Sequence, residues 1–164
     1  MQQRTAHLRE ITAAPLVRSC AGSAFPAVTG RRFYLDVRAD RGAVPHARRA
    51  VRQTLAVWEI GPAADDIELV VNELATNAVT ATLAMTPPGA LVALYLAMED
   101  DRLSVLVWDC CPQPPVHHGP AGDDAESGRG LEIVSLIADR WGTFPLERGK
   151  VVWAQIALTN EEAK

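Results

Sequence analysis

The chain has 164 residues, 48% of them hydrophobic and 22% charged, with a formal net charge of −4 at pH 7. That length suits one domain with a full core, and that balance lies outside the low-hydrophobicity, high-charge regime of disordered chains. An acidic surplus lacks the basic face that a phosphate backbone requires, so no nucleic-acid partner is expected.

The apolar stretch after Arg4 and Arg9 is interrupted by Thr12, Pro15 and Arg18, so it forms no signal-peptide core. No apolar run reaches the roughly 18 residues of a membrane span, and a cytoplasmic protein without a membrane partner is expected. The three cysteines, Cys20, Cys110 and Cys111, form no even disulfide framework and read as reduced thiols. Cys110, Cys111, His117 and His118 are zinc-type ligands, but two adjacent pairs do not match the usual spacing.

Residues 1–30 show no sustained period and collect Pro15, Gly22, Pro26 and Gly30, the composition of a flexible arm. Residues 31–160 are expected to hold the folded domain. Phe33, Leu35 and Val37 alternate with polar neighbours, which predicts a first strand. Beyond Asp40-Arg41-Gly42, a helix opening near Pro45 carries Ala47, Val51, Leu55 and Trp58 on one stripe and stops by Gly61-Pro62.

Asp65 with Glu68 three residues later resembles a capping box. Ile67, Val70, Val71, Leu74 and Ala78 then supply the buried face of a second helix reaching about Thr82, its end marked by Pro87-Pro88-Gly89. Leu91 to Met98 and Leu103 to Trp108 predict a hairpin turning at Glu99–Arg102. A long Pro-, Gly- and acid-rich loop, Cys110 to Ser127, precedes a third helix at Leu131–Arg140 and a last strand at Val151–Leu158. This order predicts an α+β fold, a two-layer sandwich in which a mostly antiparallel mixed sheet is covered by about three helices.

Three places carry candidate chemistry. Glu73 and Asn77 are four apart on the second helix and share one face beside its apolar stripe. Their oxygens suit a divalent cation carried by phosphates, and the carboxylate suits deprotonation of a hydroxyl; the plainer alternative is a solvated helix face. Asp109 ends an apolar strand, where it either accepts a hydrogen bond from a ligand amine or caps a turn. Gly128-Arg129-Gly130 stands at the start of the third helix, whose free N–H groups favour an anion; the alternative is a simple loop-to-helix turn. Ile133 occupies the third glycine position of a dinucleotide fingerprint, and Val151 follows Gly149-Lys150 where a P-loop needs Ser or Thr, so neither motif is present.

In sequence order, Glu73-Leu-Ala-Thr-Asn77-Ala, Asp109 after an apolar strand, Ser127-Gly-Arg-Gly-Leu131 and Gly149-Lys-Val-Val-Trp153 resemble the nucleotide-binding boxes of the histidine-kinase-like (GHKL) ATPases. The layout is most similar to the anti-sigma-factor serine/threonine kinase branch of bacterial regulators. The resemblance covers roughly residues 31–158. It implies ATP and magnesium as cofactors, Asn77 as the magnesium ligand, and Glu73 as general base toward a protein serine. It further implies Asp109 as acceptor of the adenine amine, Gly128, Arg129, Gly130 and Leu131 at the phosphates, and the loop 111–127 as a lid. The implied partners are an antagonist protein, a sigma factor or both, with a homodimer formed through the sheet. An ATP-sensing or partner-binding domain without phosphotransfer is the alternative. Cys110-Cys111-Pro112 follow the aspartate where the family often has glycines, and Ala81 and Val151 stand where many relatives have histidine and threonine.

Overall fold

The computed structural model describes residues 30–85, 90–114, 130–146 and 148–158. The sequence readings that fall on 1–29 and on 115–129, including the arm, most of the lid, Gly128 and Arg129, lie outside them. Pro87-Pro88-Gly89 lies outside them as well.

The elements run β1 (Arg31–Arg38), α1 (Ala43–Val57), α2 (Ala64–Met85), β2 (Leu91–Glu99), β3 (Arg102–Asp109), α3 (Gly130–Ile137), β4 (Arg140–Pro145) and β5 (Lys150–Ala157). The five strands form one sheet in the order β1-β2-β3-β5-β4, and all four pairings are antiparallel. The expected α+β sandwich with three helices is therefore present, and the sheet is antiparallel throughout the described residues rather than mixed.

Strand alternation explains the layering. Leu35 and Val37 of β1, Leu94 and Leu96 of β2, Val105 and Val107 of β3, and Ala154 and Ile156 of β5 face the helices and join one core. Leu55 of α1 and Ile67 and Leu74 of α2 enter it fully buried. Each such side chain contributes roughly 1.5–3 kcal/mol by leaving water. The opposite sheet face holds a smaller cluster around Ala93, Leu106 and Val151, flanked by half-buried aromatics including Tyr95 and Trp153.

Helix α1 starts at Ala43, ahead of Pro45, which sits in the first turn where a missing N–H breaks no helical bond. It also stops before Gly61. Glu59 takes the left-handed conformation at φ 59°, its N–H donates to Ala56 O at 3.1 Å, and the Ile60 N–H donates to Leu55 O at 2.9 Å. This bond pair is the Schellman end usually given to glycine, here built on a glutamate.

Two expectations fail. Glu68 makes no capping box with Asp65: its carboxylate is buried and receives two bonds from Arg52 of α1, Nε at 2.7 Å and Nη2 at 2.6 Å. The third helix ends at Ile137, and Arg140–Pro145 forms an edge strand that the sequence pattern did not predict. Its glycine lies beneath an indole: a Cβ on Gly142 would stand 3.2 Å from the ring of Trp153.

Candidate nucleotide site

The apolar stripe of α2 fixes where its polar residues go. Val70, Val71, Leu74, Ala75 and Ala78 are buried, so Glu73 and Asn77, one turn apart, rise half-buried at the stripe's edge. The first residue of α3 lies against them. A Cβ built on Gly130 would stand 2.6 Å from Glu73 Oε2 and 3.6 Å from Asn77 Nδ2. Only a residue without a side chain lets the α3 backbone approach this close without moving the carboxylate.

The N–H groups of the first turn of α3 have no intrahelical acceptor and carry partial positive charge, so Glu73 is well placed beside them. A phosphate drawn to the same helix end meets that carboxylate as a like charge. An oxygen-preferring divalent cation between the two removes the conflict, and the Glu73 and Asn77 side-chain oxygens are the donor type that magnesium takes. Glu73 Oε1 accepts a 3.0 Å bond from Asn72 Nδ2. Leu131 is 3% exposed and belongs to the core, so its side chain packs and it can offer a ligand at this helix end only its backbone.

Asp109 occupies the far end of the same layer. It closes β3 opposite Lys150 of β5, and both side chains face the helices. The adjoining Cys110 reaches α2 at Thr82, Sγ to Oγ1 3.8 Å. Thr82 lies five residues beyond Asn77, or ~7.5 Å along the helix axis. The structure thus joins Glu73, Asn77 and Gly130 directly and sets Asp109 about a turn and a half farther along α2.

Asp109 is 1% exposed and already partnered. Its Oδ1 accepts from Lys150 Nζ at 2.8 Å and from the Cys111 N–H at 2.9 Å. Lys150, also buried, donates in addition to Cys111 O at 3.2 Å. Burial holds the Asp109 carboxyl above the usual carboxylate range, while the lysine and the Cys111 N–H draw it part of the way back. Gly149, at φ 88°, precedes the lysine because a Cβ there would collide with the Asp109 carbonyl.

In the sequence Lys150 stands only as the lysine of an absent P-loop and as a member of the Gly149-Lys-Val-Val-Trp153 box, with no role of its own. A signal existed: a lone lysine opening a strand whose other helix-facing residues, Val152, Ala154 and Ile156, are core. Among the described residues no cluster of His, Cys, Asp or Glu is arranged to hold a metal by itself. None of the described helices is long and apolar enough to cross a membrane.

A helix N-terminus that meets oxygen donors on a neighbouring helix, above one face of an antiparallel sheet, is the layout of a nucleotide-binding domain. The sequence model of the histidine kinase-like ATPase domain matches residues 37–156, well over half of the chain, and the protein belongs to that family. The matched segment contains Glu73, Asn77, Asp109, Gly130 and Lys150. Domains of this family bind ATP, usually with magnesium. A search of curated proteins found no match.

Proposed function

We propose that the chain is an ATP-dependent serine/threonine protein kinase of the anti-sigma-factor type, which phosphorylates a small antagonist protein and thereby controls a sigma factor. The observation that carries this reading is the approach of Gly130 to Glu73 and Asn77, which puts a carboxylate beside a helix N-terminus, the kind of end that favours an anion.

In this reading Asn77 would hold the magnesium ion through its carboxamide oxygen, and the free N–H groups of α3 would hold phosphate oxygens. The family's motif assigns Gly128 and Arg129 to the same phosphates. Asp109 accepts the adenine amine at the other end. Bound ATP supplies the phosphoryl group, with magnesium offsetting its charge. Glu73 accepts the proton of the substrate serine as Oγ bonds to the γ-phosphorus, and the bond to the β,γ-bridging oxygen breaks to release ADP.

Incubation with labelled ATP and candidate antagonist proteins tests the proposal. Glu73→Gln is expected to lower transfer by about a hundredfold or more, the range of a lost general base, while leaving ATP binding within a few-fold. Transfer at the wild-type rate by Glu73→Gln removes the base assignment.

The second reading, an ATP-sensing domain without transfer, draws on Asp109, whose Oδ1 is already engaged by Lys150 and Cys111. ATP binding without turnover, whatever the partner offered, favours it. A homodimer through the outer sheet face is the proposed assembly: Tyr34, Tyr95, Leu106 and Trp153 stand in one cross-strand row there. Sedimentation that finds only monomer at high concentration removes it.

A further inference from the structure

Among the buried ionisable groups, Lys150 has no part in the phosphate chemistry above, and it is held with more care than a chance surface lysine. It is 4% exposed, it starts β5 directly opposite Asp109, and its ammonium bridges the Asp109 carboxylate and the Cys111 carbonyl. Both bonds described for Asp109 end on Oδ1, one from the lysine and one from a backbone N–H two residues on. Two fixed donors on one oxygen set the plane of the carboxylate and direct Oδ2 elsewhere.

We propose that Lys150 is a positioning residue for the nucleobase: it orients Asp109 and keeps that carboxylate a hydrogen-bond acceptor for the exocyclic amine of a 6-aminopurine. The inference rests on the assignment of Asp109 to the base. A carboxyl group accepts through both oxygens only while ionised; a buried one without a cation shifts toward its protonated form, in which one oxygen becomes a donor and the remaining acceptor is weaker. Burial already holds Asp109 above the usual range with the lysine present, so removing the ammonium moves it further in that direction.

Among the described residues Lys150 is the charged group that bears on Asp109. From α2 the neighbouring group is the Thr82 hydroxyl, which faces Cys110, and the Cys111 thiol is bonded to Gln113 Oε1 at 3.5 Å. Neither supplies a replacement charge. The competing physical reading is a plug, in which the ammonium occupies the place of the ligand amine and must be displaced for the base to enter. The two readings differ in sign.

ATP binding with magnesium is measured by calorimetry from about pH 6 to about pH 8.5 for the wild type, Lys150→Met, Lys150→Gln, Lys150→Arg and Asp109→Asn. Taking each variant relative to wild type at the same pH cancels the titration of ATP itself. Lys150→Met and Lys150→Gln are expected to bind at least about tenfold more weakly at the acid end of that pH range, where a carboxyl raised further above its usual range is the more protonated, and to recover as pH rises and it ionises. Lys150→Arg restores much of the affinity and flattens the profile. Lys150→Gln, shorter but still a hydrogen-bond donor, carries the test if Lys150→Met does not fold.

A second readout needs no nucleotide: the carbon-13 titration midpoint of the Asp109 carboxyl is expected to lie higher in Lys150→Gln than in wild type. Equal or tighter ATP binding in the neutral variants supports the plug and overturns the proposal. So does a loss that is the same at every pH, which marks a purely structural role. ATP binding unchanged in Asp109→Asn, or no binding by wild type, overturns the base assignment and the proposal with it. Abolished binding in Asp109→Asn beside a flat profile in the lysine variants overturns the proposal alone.

Discussion

Two buried carboxylates with cationic partners flank the site, and their surroundings push them in opposite directions. Glu68, near the start of α2, is bonded by the fork of Arg52, whose side chain is 67% exposed. The arginine hydrogen bonds outweigh burial, so Glu68 ionises below the usual carboxylate range. Asp109 is paired with a lysine that is 5% exposed, and there burial wins. An ion pair with one member in water leaves that member hydrated and acts as a strut between α1 and α2; an ion pair withdrawn whole from water leaves its carboxylate easily neutralised. The first arrangement suits packing, and the second ties the ionisation of Asp109 to its lysine. Glu73, on the same helix as Glu68, has neither cation as partner and faces a helix end instead.

The largest effect is expected from breaking the buried pair. Lys150→Met leaves an uncompensated carboxylate and should cost about 3–5 kcal/mol at neutral pH, measured by urea unfolding. Because the folded-state value of Asp109 is raised, stability is regained as pH falls through that value, so the difference from wild type should close above the usual carboxylate range. Adding Asp109→Asn should recover part of the loss at pH 7. Recovery in the double variant separates a charge effect from a packing effect.

Arg52→Met is expected to cost less, since water can reach the carboxylate that the exposed guanidinium leaves. Here the sign gives the sharper test. The folded-state value of Glu68 is lowered, so its contribution is present above the usual carboxylate range and lost as pH falls through the lowered value. The gap between this variant and wild type should therefore persist to a more acid pH than the gap for Lys150→Met. Gaps that close at the same pH would erase the distinction between the two pairs.

The smallest change in stability is expected from Gly130→Ala, within about 1 kcal/mol, because alanine is the better helix former and the atom in its way is the end of a flexible side chain. On the proposed kinase reading, displacing the Glu73 carboxylate from the helix end should lower phosphotransfer about tenfold or more. Stability and activity measured on one preparation would show whether Glu73 is tuned by position alone.

Much of the fold was legible because its periods are clean. Phe33, Leu35 and Val37 announce β1, and the stripe through Ala47, Val51 and Leu55 announces α1. Strand β4 escaped because Arg-Trp-Gly-Thr-Phe-Pro carries a glycine and a proline, and its pairing with β5 rather than its own pattern makes it a strand. The capping box misled because Glu68 is taken by an arginine 16 residues away, a tertiary contact that local spacing does not encode. The site divided along the same line. Glu73 and Asn77 were readable from helical spacing, whereas the partnership of Asp109 with Lys150 depends on the register of β3 against β5, which no single strand contains.

That register also has a consequence in time. β2 and β3 are joined by a two-residue turn, Asp100 and Asp101, a local closure that hairpins complete in ~1–10 μs. β5 must return across 41 residues to place Lys150 beside Asp109, on the terminal rung of the β3–β5 ladder. Two charged side chains give up their water only when that rung forms, so the ladder has every reason to complete its apolar rungs first. The pair should then be absent from the folding transition state, and its removal should quicken unfolding while leaving the folding rate nearly unchanged.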